Sequence, residues 1–247
     1  MNLKEFFAEY TEVAIAFSGG VDSAYLLAEA KKYAKKLKAY YVKSAFQPQF
    51  ELDDALCLAN ELEVDVKVIN IDVLSDEQIV SNPQNRCYYC KRKIFEAIID
   101  EATKDGFKII LDGTNASDDE NDRPGVKALR ELKVLSPLKE CGLTKSSIRE
   151  LSKEARLFTW NKPAYACLAT RIATGEKITK EKLNATEICE DFLSSLGFSD
   201  FRIRLKDGNA KIQLPEEQLP MAIQDRKTIL ETLKKYYNSV TLDMEVR

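Results

Sequence analysis

The stretch "VAIAFSGGVDSAYLLAEAKKYAKKL", residues 13–37, decides the fold. Val13 to Phe17 is a short, wholly apolar, β-rich run, and Ala24, Leu27, Ala30, Ala34 and Leu37 then recur at helical spacing, so the order is strand, turn, helix. The turn consists of Ser18, Gly19, Gly20, Val21, Asp22 and Ser23. Glycines there let the backbone come close to a ligand, and the N–H groups and dipole of a helix N-terminus favour an anion. A phosphate is the obvious guest. The bland alternative is a helix capped by Asp22 or Ser23 after a tight glycine turn. The spelling is not that of the lysine-bearing P-loop.

Working outward, "LKAYYVKSAF" reads as a second strand and "FELDDALCLANEL" as a helix burying Leu52, Ala55, Leu58, Ala59 and Leu62. "VDVKVINID" is a third strand, "YYCKRKIFEAIIDEATKDG" a helix ending at Gly106, and "KIILDGTN" a fourth strand that breaks into polar loop. Strands alternating with helices imply an α/β fold with a doubly wound parallel sheet, and ligands in such sheets bind beyond the carboxyl ends of the strands. Both "SGGVDS" and "DGTN" fall there. The pattern changes later, with Thr144 capping a further helix, a helix from Lys180 to Leu196, alternating runs joined by "KDGN", another helix, and "SVTLDMEV". We therefore expect two domains, residues 1–140 and a smaller α+β domain of residues 141–247.

Composition narrows the chemistry. The 247 residues can bury a real core, and a formal charge of −3 gives no global pull toward nucleic acid or anionic lipid. No apolar run approaches the ~20 residues of a membrane span, and the charged start "MNLKEFF" lacks a signal peptide's hydrophobic region, so a cytoplasmic protein with no membrane partner is expected. Six cysteines could pair, but such a chain normally keeps its thiols reduced. The absence of histidine is a harder constraint, since it removes the usual general base and the commonest metal ligand. Catalysis here must run on thiols, carboxylates, lysines and arginines.

"NRCYYCKRK" places Cys87 and Cys90 just ahead of a helix, between strands three and four rather than after strand one where a redox motif would sit. Zinc wants four ligands, and no second such pair and no histidine is present. Cys167 lies in "WNKPAYACLATRI", with Lys162 and Arg171 near enough in sequence to favour a thiolate. Buried apolar filler is the other reading of a lone cysteine, and we accept it for Cys57, Cys141 and Cys189. Three thiolates would leave one iron of a four-iron cluster open, which makes Cys87, Cys90 and Cys167 a candidate set, although spacing alone does not justify the grouping.

"SGGVDS" resembles the signature of the PP-loop ATP pyrophosphatases (adenine nucleotide α-hydrolase-like). Together with "NRCYYCK", "LDGTNASDD" followed by "RPGVKAL", "SPL", "LTKSSIREL", "WNKPAYACLATRI" and "FRIRL", nearly the whole chain is similar to the LarE-type ATP-dependent sulfur transferases. The resemblance implies an enzyme that adenylates a carboxylate of pyridinium-3,5-biscarboxylic acid mononucleotide, releases pyrophosphate and installs sulfur on the way to a nickel-pincer cofactor. It implies ATP and Mg²⁺ at Ser18, Gly19, Gly20, Asp22, Ser23, Lys43, Asp112, Thr114 and Asp118. It also implies a catalytic set of Cys167, Asp22 and Arg171. The substrate phosphate would lie on Arg202 and Arg204, where a planar guanidinium suits it. In one version of the family a lone cysteine matching Cys167 gives up its own sulfur. In the other, cysteines matching Cys87, Cys90 and Cys167 hold a [4Fe–4S] cluster. With all three thiols present and no histidine to serve as base, we favour the cluster.

Two positions depart from the family pattern: Gln213 stands where an acidic residue is expected and Thr170 where serine is usual. The expected partners are the small-molecule mononucleotide and further copies of the chain in a homo-oligomer, not nucleic acid. Rival readings are a transfer-RNA thiolase of the same superfamily, an amidating PP-loop enzyme, and a nucleotide-binding module that turns nothing over. The acidic balance and the lack of a basic, aromatic RNA-binding module weigh against the first.

Overall fold

The predicted strand forms one residue earlier than expected, at Glu12–Ala16, and the helix after it begins at Val21 with Gly20 as its N-cap. The computed structural model describes residues 1–118 and 124–246. Asp119 and Arg123 of the family-like motifs, and the terminal Arg247, lie outside the described residues. The chain divides into one unit of Met1–Asp72 with Asn85–Lys162 and another of Val73–Gln84 with Pro163–Arg247.

The chain runs through α1 (Leu3–Glu9), β1 (Glu12–Ala16), α2 (Val21–Tyr33), β2 (Lys36–Lys43), α3 (Gln49–Glu61) and β3 (Val66–Asn70). The one-turn α4 (Glu77–Val80) falls in the second unit. Next come α5 (Arg86–Lys104), β4 (Ile110–Leu111), α6 (Pro124–Glu131), the one-turn α7 (Pro137–Glu140) and α8 (Lys145–Glu154).

In the first unit the strands lie side by side as β3-β2-β1-β4, all parallel. The chain steps outward from β1 to β2 to β3, then returns to the other side of β1 to lay down β4. The strand order therefore reverses between β1 and β4, the place where such sheets open a crevice. Alternation along β1 sorts its side chains onto two faces. Val13 and Ile15 join the core that contains Phe6, Leu26, Leu27 and Leu58, while Ala14 faces Phe95, Ile98 and Leu129. Both faces are dry, as a parallel sheet covered by helices requires.

Two sequence expectations are corrected here. The fourth strand shrinks to Ile110–Leu111, because the Asp112 N–H turns to the Leu135 carbonyl at 3.0 Å and the chain leaves the sheet. The domain boundary expected after residue 140 moves to Lys162, because Ile148 and Leu157 are buried in the first unit's core, and residues 73–84 go to the second unit. Helix α1 was not anticipated, although Asn2 and Glu5 close a reciprocal capping box at its start.

The second unit is the expected α+β domain. Its sheet has the order β5-β6-β7, with β5 (Arg202–Lys206) antiparallel to β6 (Asn209–Gln213) and β7 (Val240–Leu242) parallel to β6. "KDGN" makes the hairpin, with Asp207 and Gly208 at φ 49° and 73°. Helices α9 (Lys180–Ser195), α10 (Leu219–Gln224) and α11 (Arg226–Leu233) complete the unit, with Leu196 as the C-cap of α9. Residues 73–84 are tied in by distant partners. Asn82 Nδ2 donates to the carbonyls of Ile172 (3.3 Å) and Ala173 (2.8 Å), and the Ile178 N–H donates to the Val80 carbonyl at 2.8 Å. Among the described residues no helix is long and apolar enough to cross a membrane.

Candidate active site

The turn after β1 is held by its own small side chains. The Ser18 hydroxyl lies 3.1 Å from that of Ser23, which also accepts from the Ser18 N–H at 3.3 Å and donates to the Gly20 carbonyl at 3.2 Å. Gly19 has φ +73°, and a Cβ there would lie 2.9 Å from the Ala55 Cβ of α3. Glycine is thus required by conformation and by space. Gly113, just past β4, comes as close to the start of α2, since an added Cβ would stand 2.9 Å from the Ser23 backbone nitrogen. The two loops that the sequence places at the sheet's carboxyl edge therefore touch.

The β4 loop is stiffened from within. Asp112, buried at 4% exposure, accepts from the hydroxyls of Thr114 at 2.5 Å and Ser136 at 2.6 Å. Both of its oxygens are thereby turned to holding the loop. Asp118 Oδ2 accepts from the Asn115 N–H at 3.1 Å. Lys43, at the end of β2, donates to the Gln47 carbonyl at 2.6 Å. Asp22 behaves differently. Its Oδ2 meets Lys145 Nζ at 2.5 Å, while its Oδ1 is buried without a hydrogen-bond partner. Lys145 belongs to "LTKSSIREL" but received no role from the sequence, because a separation of 123 positions hides the pairing.

Cys87 and Cys90 lie in the opening turns of α5, three residues apart and so on neighbouring positions of one helix face. Cys87 is exposed, Cys90 half-buried, and Arg86 Nη2 reaches the Cys87 sulfur at 3.9 Å. Cys167 belongs to the second unit, where it precedes a 3₁₀ turn, Leu168–Arg171. Cys87 and Cys90 belong to the first unit. Among the described residues no three His, Cys, Asp or Glu side chains form a group that could hold a metal ion.

Around Cys167 the arginines act on the backbone. Arg171 Nη1 donates to the Ala166 carbonyl at 2.8 Å, Arg202 Nη2 to the Ala164 carbonyl, and Arg204 Nη1 to the Thr170 carbonyl at 2.7 Å. Arg171 Nε and Nη2 also grip Glu190 at 2.7 and 3.1 Å. Glu190 accepts further bonds from the Tyr165 hydroxyl (2.7 Å) and the Ile203 N–H (3.0 Å). The Tyr165 ring lies under both Arg171 and Arg202, 4.6 and 5.3 Å from their guanidinium carbons. Arg171, expected to be catalytic, is buried and engaged in positioning the Cys167 loop. Lys162, the other cation near the thiol in sequence, is paired with Asp54 at 2.7 Å in the first unit.

No protein-family model matches the chain. A protein of Synechocystis sp. with no assigned activity is 34% identical over 99% of this chain and 92% of its own length. The pyridinium-3,5-bisthiocarboxylic acid mononucleotide synthase of Lactiplantibacillus plantarum is 33% identical over 94% of this chain and 85% of its own length. The chain belongs to the LarE-type sulfur transferase family. A tRNA-specific 2-thiouridylase of Pseudothermotoga lettingae is 26% identical over 61% of the chain, consistent with the PP-loop fold that the family shares.

The two departures from the family pattern find partners. The Thr170 hydroxyl donates to the Cys167 carbonyl at 2.8 Å, a bond that serine's hydroxyl is equally able to make. Gln213 Oε1 accepts from Arg204 Nε at 2.9 Å, and its Nε2 donates to Asp243 at 2.9 Å. Gln213 thus links Arg204 to Asp243, which also pairs with Lys211 at 2.8 Å. Lys211 and hydrogen bonding from Gln213 hold the Asp243 carboxyl below its usual range. An open hollow of about 640 Å³ lies here, lined by Thr170, Arg204, Lys206, Lys211 and Gln213 among others. Arg202, only 5% exposed, is not on that lining.

Glu190 is the residue the sequence reading missed most plainly. A signal existed: Leu183, Thr186, Glu190 and Leu193 recur at helical spacing along the buried stripe of α9.

Proposed function

We propose that the chain is an ATP-dependent sulfur transferase acting on pyridinium-3,5-biscarboxylic acid mononucleotide in nickel-pincer cofactor biosynthesis. The observation that carries the reading is the meeting of Gly19–Ser23 with Gly113 at the strand-order reversal, with a buried carboxylate oxygen of Asp22 left unpartnered there. The name of the Lactiplantibacillus relative supports the substrate.

The first turn of α2 offers N–H groups and a favourable dipole to the ATP phosphates. A substrate carboxylate oxygen attacks the α-phosphorus, the bond to the bridging oxygen breaks, and its electron pair leaves with pyrophosphate. A sulfur nucleophile then attacks the acyl carbon and AMP departs. Mg²⁺ fits this chain's residues, since Asp22 Oδ1 is an acceptor without a donor. Asp22 would hold it, and the ion supplies neutralisation of phosphate charge. Cys87, Cys90 and Cys167 would hold a [4Fe–4S] cluster, whose open iron supplies a place for transferable sulfide. None of the three is disulfide-bonded or fully buried, which suits them as ligands. Arg171, Arg202 and Glu190 keep the Cys167 loop in one conformation, and Arg204, with Lys206 and Lys211 beside it, receives the substrate phosphate.

Pyrophosphate release from ATP, Mg²⁺ and the mononucleotide tests the reading. Wild-type protein should release it and Asp22→Ala should not, while keeping its fold; a silent wild type overturns the assignment. Anaerobic reconstitution should load about four irons per chain. Undiminished iron in a Cys87→Ala/Cys90→Ala double variant would remove the cluster.

A further inference from the structure

Arg204 and Lys211 stand directly opposite each other on β5 and β6, and like charges so placed destabilise a sheet. Their strand neighbours Ile203, Leu205, Ala210 and Ile212 are all buried, so alternation turns the two cations to the other face, where both line the hollow. Two neutral side chains would cover that strand pair at lower cost. A chain of three contacts offsets the repulsion. Gln213 Oε1 accepts from Arg204 Nε at 2.9 Å, Gln213 Nε2 donates to Asp243 Oδ2 at 2.9 Å, and Lys211 Nζ meets the same oxygen at 2.8 Å. Asp243 is itself fixed: its N–H donates to the Ile212 carbonyl at 2.8 Å, and its side chain is only 12% exposed. The Lys211 side chain is 50% exposed, and an ammonium carries three donors, so it can serve a ligand without leaving Asp243. Arg204 is held at a second edge, where Nη1 donates to the Thr170 carbonyl at 2.7 Å.

We propose that Asp243 and Gln213 are positioning residues for substrate binding, which hold Arg204 and Lys211 as a preset two-cation cradle for one phosphate monoester. This rests on the assignment of the substrate phosphate to Arg204 above. Such a phosphate carries nearly two negative charges at neutral pH and so matches both cations. Gln213 sets a neutral oxygen on Arg204, which orients the guanidinium without cancelling its charge. Asp243 fixes the other end of that amide and counters the repulsion between the two cations. The cradle is therefore ordered before the ligand arrives, and less side-chain freedom is lost on binding.

The test compares wild type, Asp243→Asn and Gln213→Glu by two readouts. One is calorimetric binding of pyridinium-3,5-biscarboxylic acid mononucleotide and of the corresponding nucleoside without its phosphate; the other is kcat and KM for pyrophosphate release. Wild type should bind the mononucleotide more tightly than the nucleoside. Asp243→Asn keeps an acceptor for Gln213 but removes the charge, and should weaken mononucleotide binding about tenfold and raise its KM to match. Its kcat and its affinity for the nucleoside should change far less. Gln213→Glu sets a carboxylate on Arg204 and beside Asp243, and should weaken the mononucleotide at least as much. A merely structural role would weaken both ligands together, so equal losses overturn the proposal, as does unchanged or tighter mononucleotide binding in either variant. Those results leave the phosphate assignment standing if wild type still prefers the mononucleotide. A wild type that binds the two ligands alike sinks both.

Discussion

Arg171 and Glu190 meet as a two-point fork inside the second unit, Nε to Oε1 at 2.7 Å and Nη2 to Oε2 at 3.1 Å, with side-chain exposures of 0% and 5%. Removing one partner leaves a buried charge uncompensated. Glu190→Ala should therefore destabilise the protein by about 3–5 kcal/mol in urea unfolding. The double variant Arg171→Met/Glu190→Leu should cost clearly less than Glu190→Ala alone. Equal losses would show that the pair is not the source of the effect.

Two glycines separate conformational from steric demands. Gly142 has φ +70° and nothing within 4 Å of an added Cβ, so Gly142→Ala should cost about 1 kcal/mol. Gly113→Ala instead drives a Cβ to 2.9 Å from the Ser23 nitrogen. It should weaken nucleotide binding, measured by calorimetry, far more than Gly142→Ala does. Similar ATP affinity in the two variants would detach Gly113 from the site.

Acid stability should depend on Asp105. Lys38, the Tyr40 hydroxyl and Lys67 surround its carboxyl, with Lys38 Nζ at 3.0 Å and the hydroxyl at 2.8 Å, and bring its pKa down to about 2. The folded-state value lies below the unfolded value of about 3.9. The stabilisation is therefore complete above about pH 4 and is lost as pH falls toward 2. Thermal melts between pH 5 and pH 2 should show a shallower decline in Asp105→Asn than in wild type. Parallel curves would refute this.

The six thiols should separate by environment. Burial pushes the Cys189 thiol up to about 12, and the side chain is fully enclosed, whereas Cys57 and Cys87 are exposed. Maleimide labelling at neutral pH, mapped by mass spectrometry, should modify Cys57 and Cys87 in the folded protein and Cys189 only after unfolding.

The fold was legible where local pattern and tertiary structure agree. The apolar pentad, the glycine turn and the alternating strands and helices needed no long-range knowledge. What stayed hidden depends on pairings across long loops. Lys145 on Asp22 and Glu190 beneath Arg171 join residues whose neighbours in sequence give no hint of each other. Arg202 and Arg204 alternate with apolar residues as though they faced solvent, yet both bind carbonyls of the Cys167 loop, because that face of β5 is also covered. The boundary was misplaced because residues 73–84 look like a continuation of the first unit, while the atoms that hold Asn82 come ninety positions later.

That excursion has a consequence for synthesis on the ribosome. Val73, Ile79 and Val80 emerge early and are apolar, yet the carbonyls of Ile172 and Ala173 that anchor Asn82 are made much later. During that interval a greasy segment waits without its shelter, inside a nascent chain whose first unit is otherwise assembling. Any truncation after Lys162 would make the wait permanent, so chaperone dependence and fragment solubility should be governed by this short insertion rather than by the larger sheet.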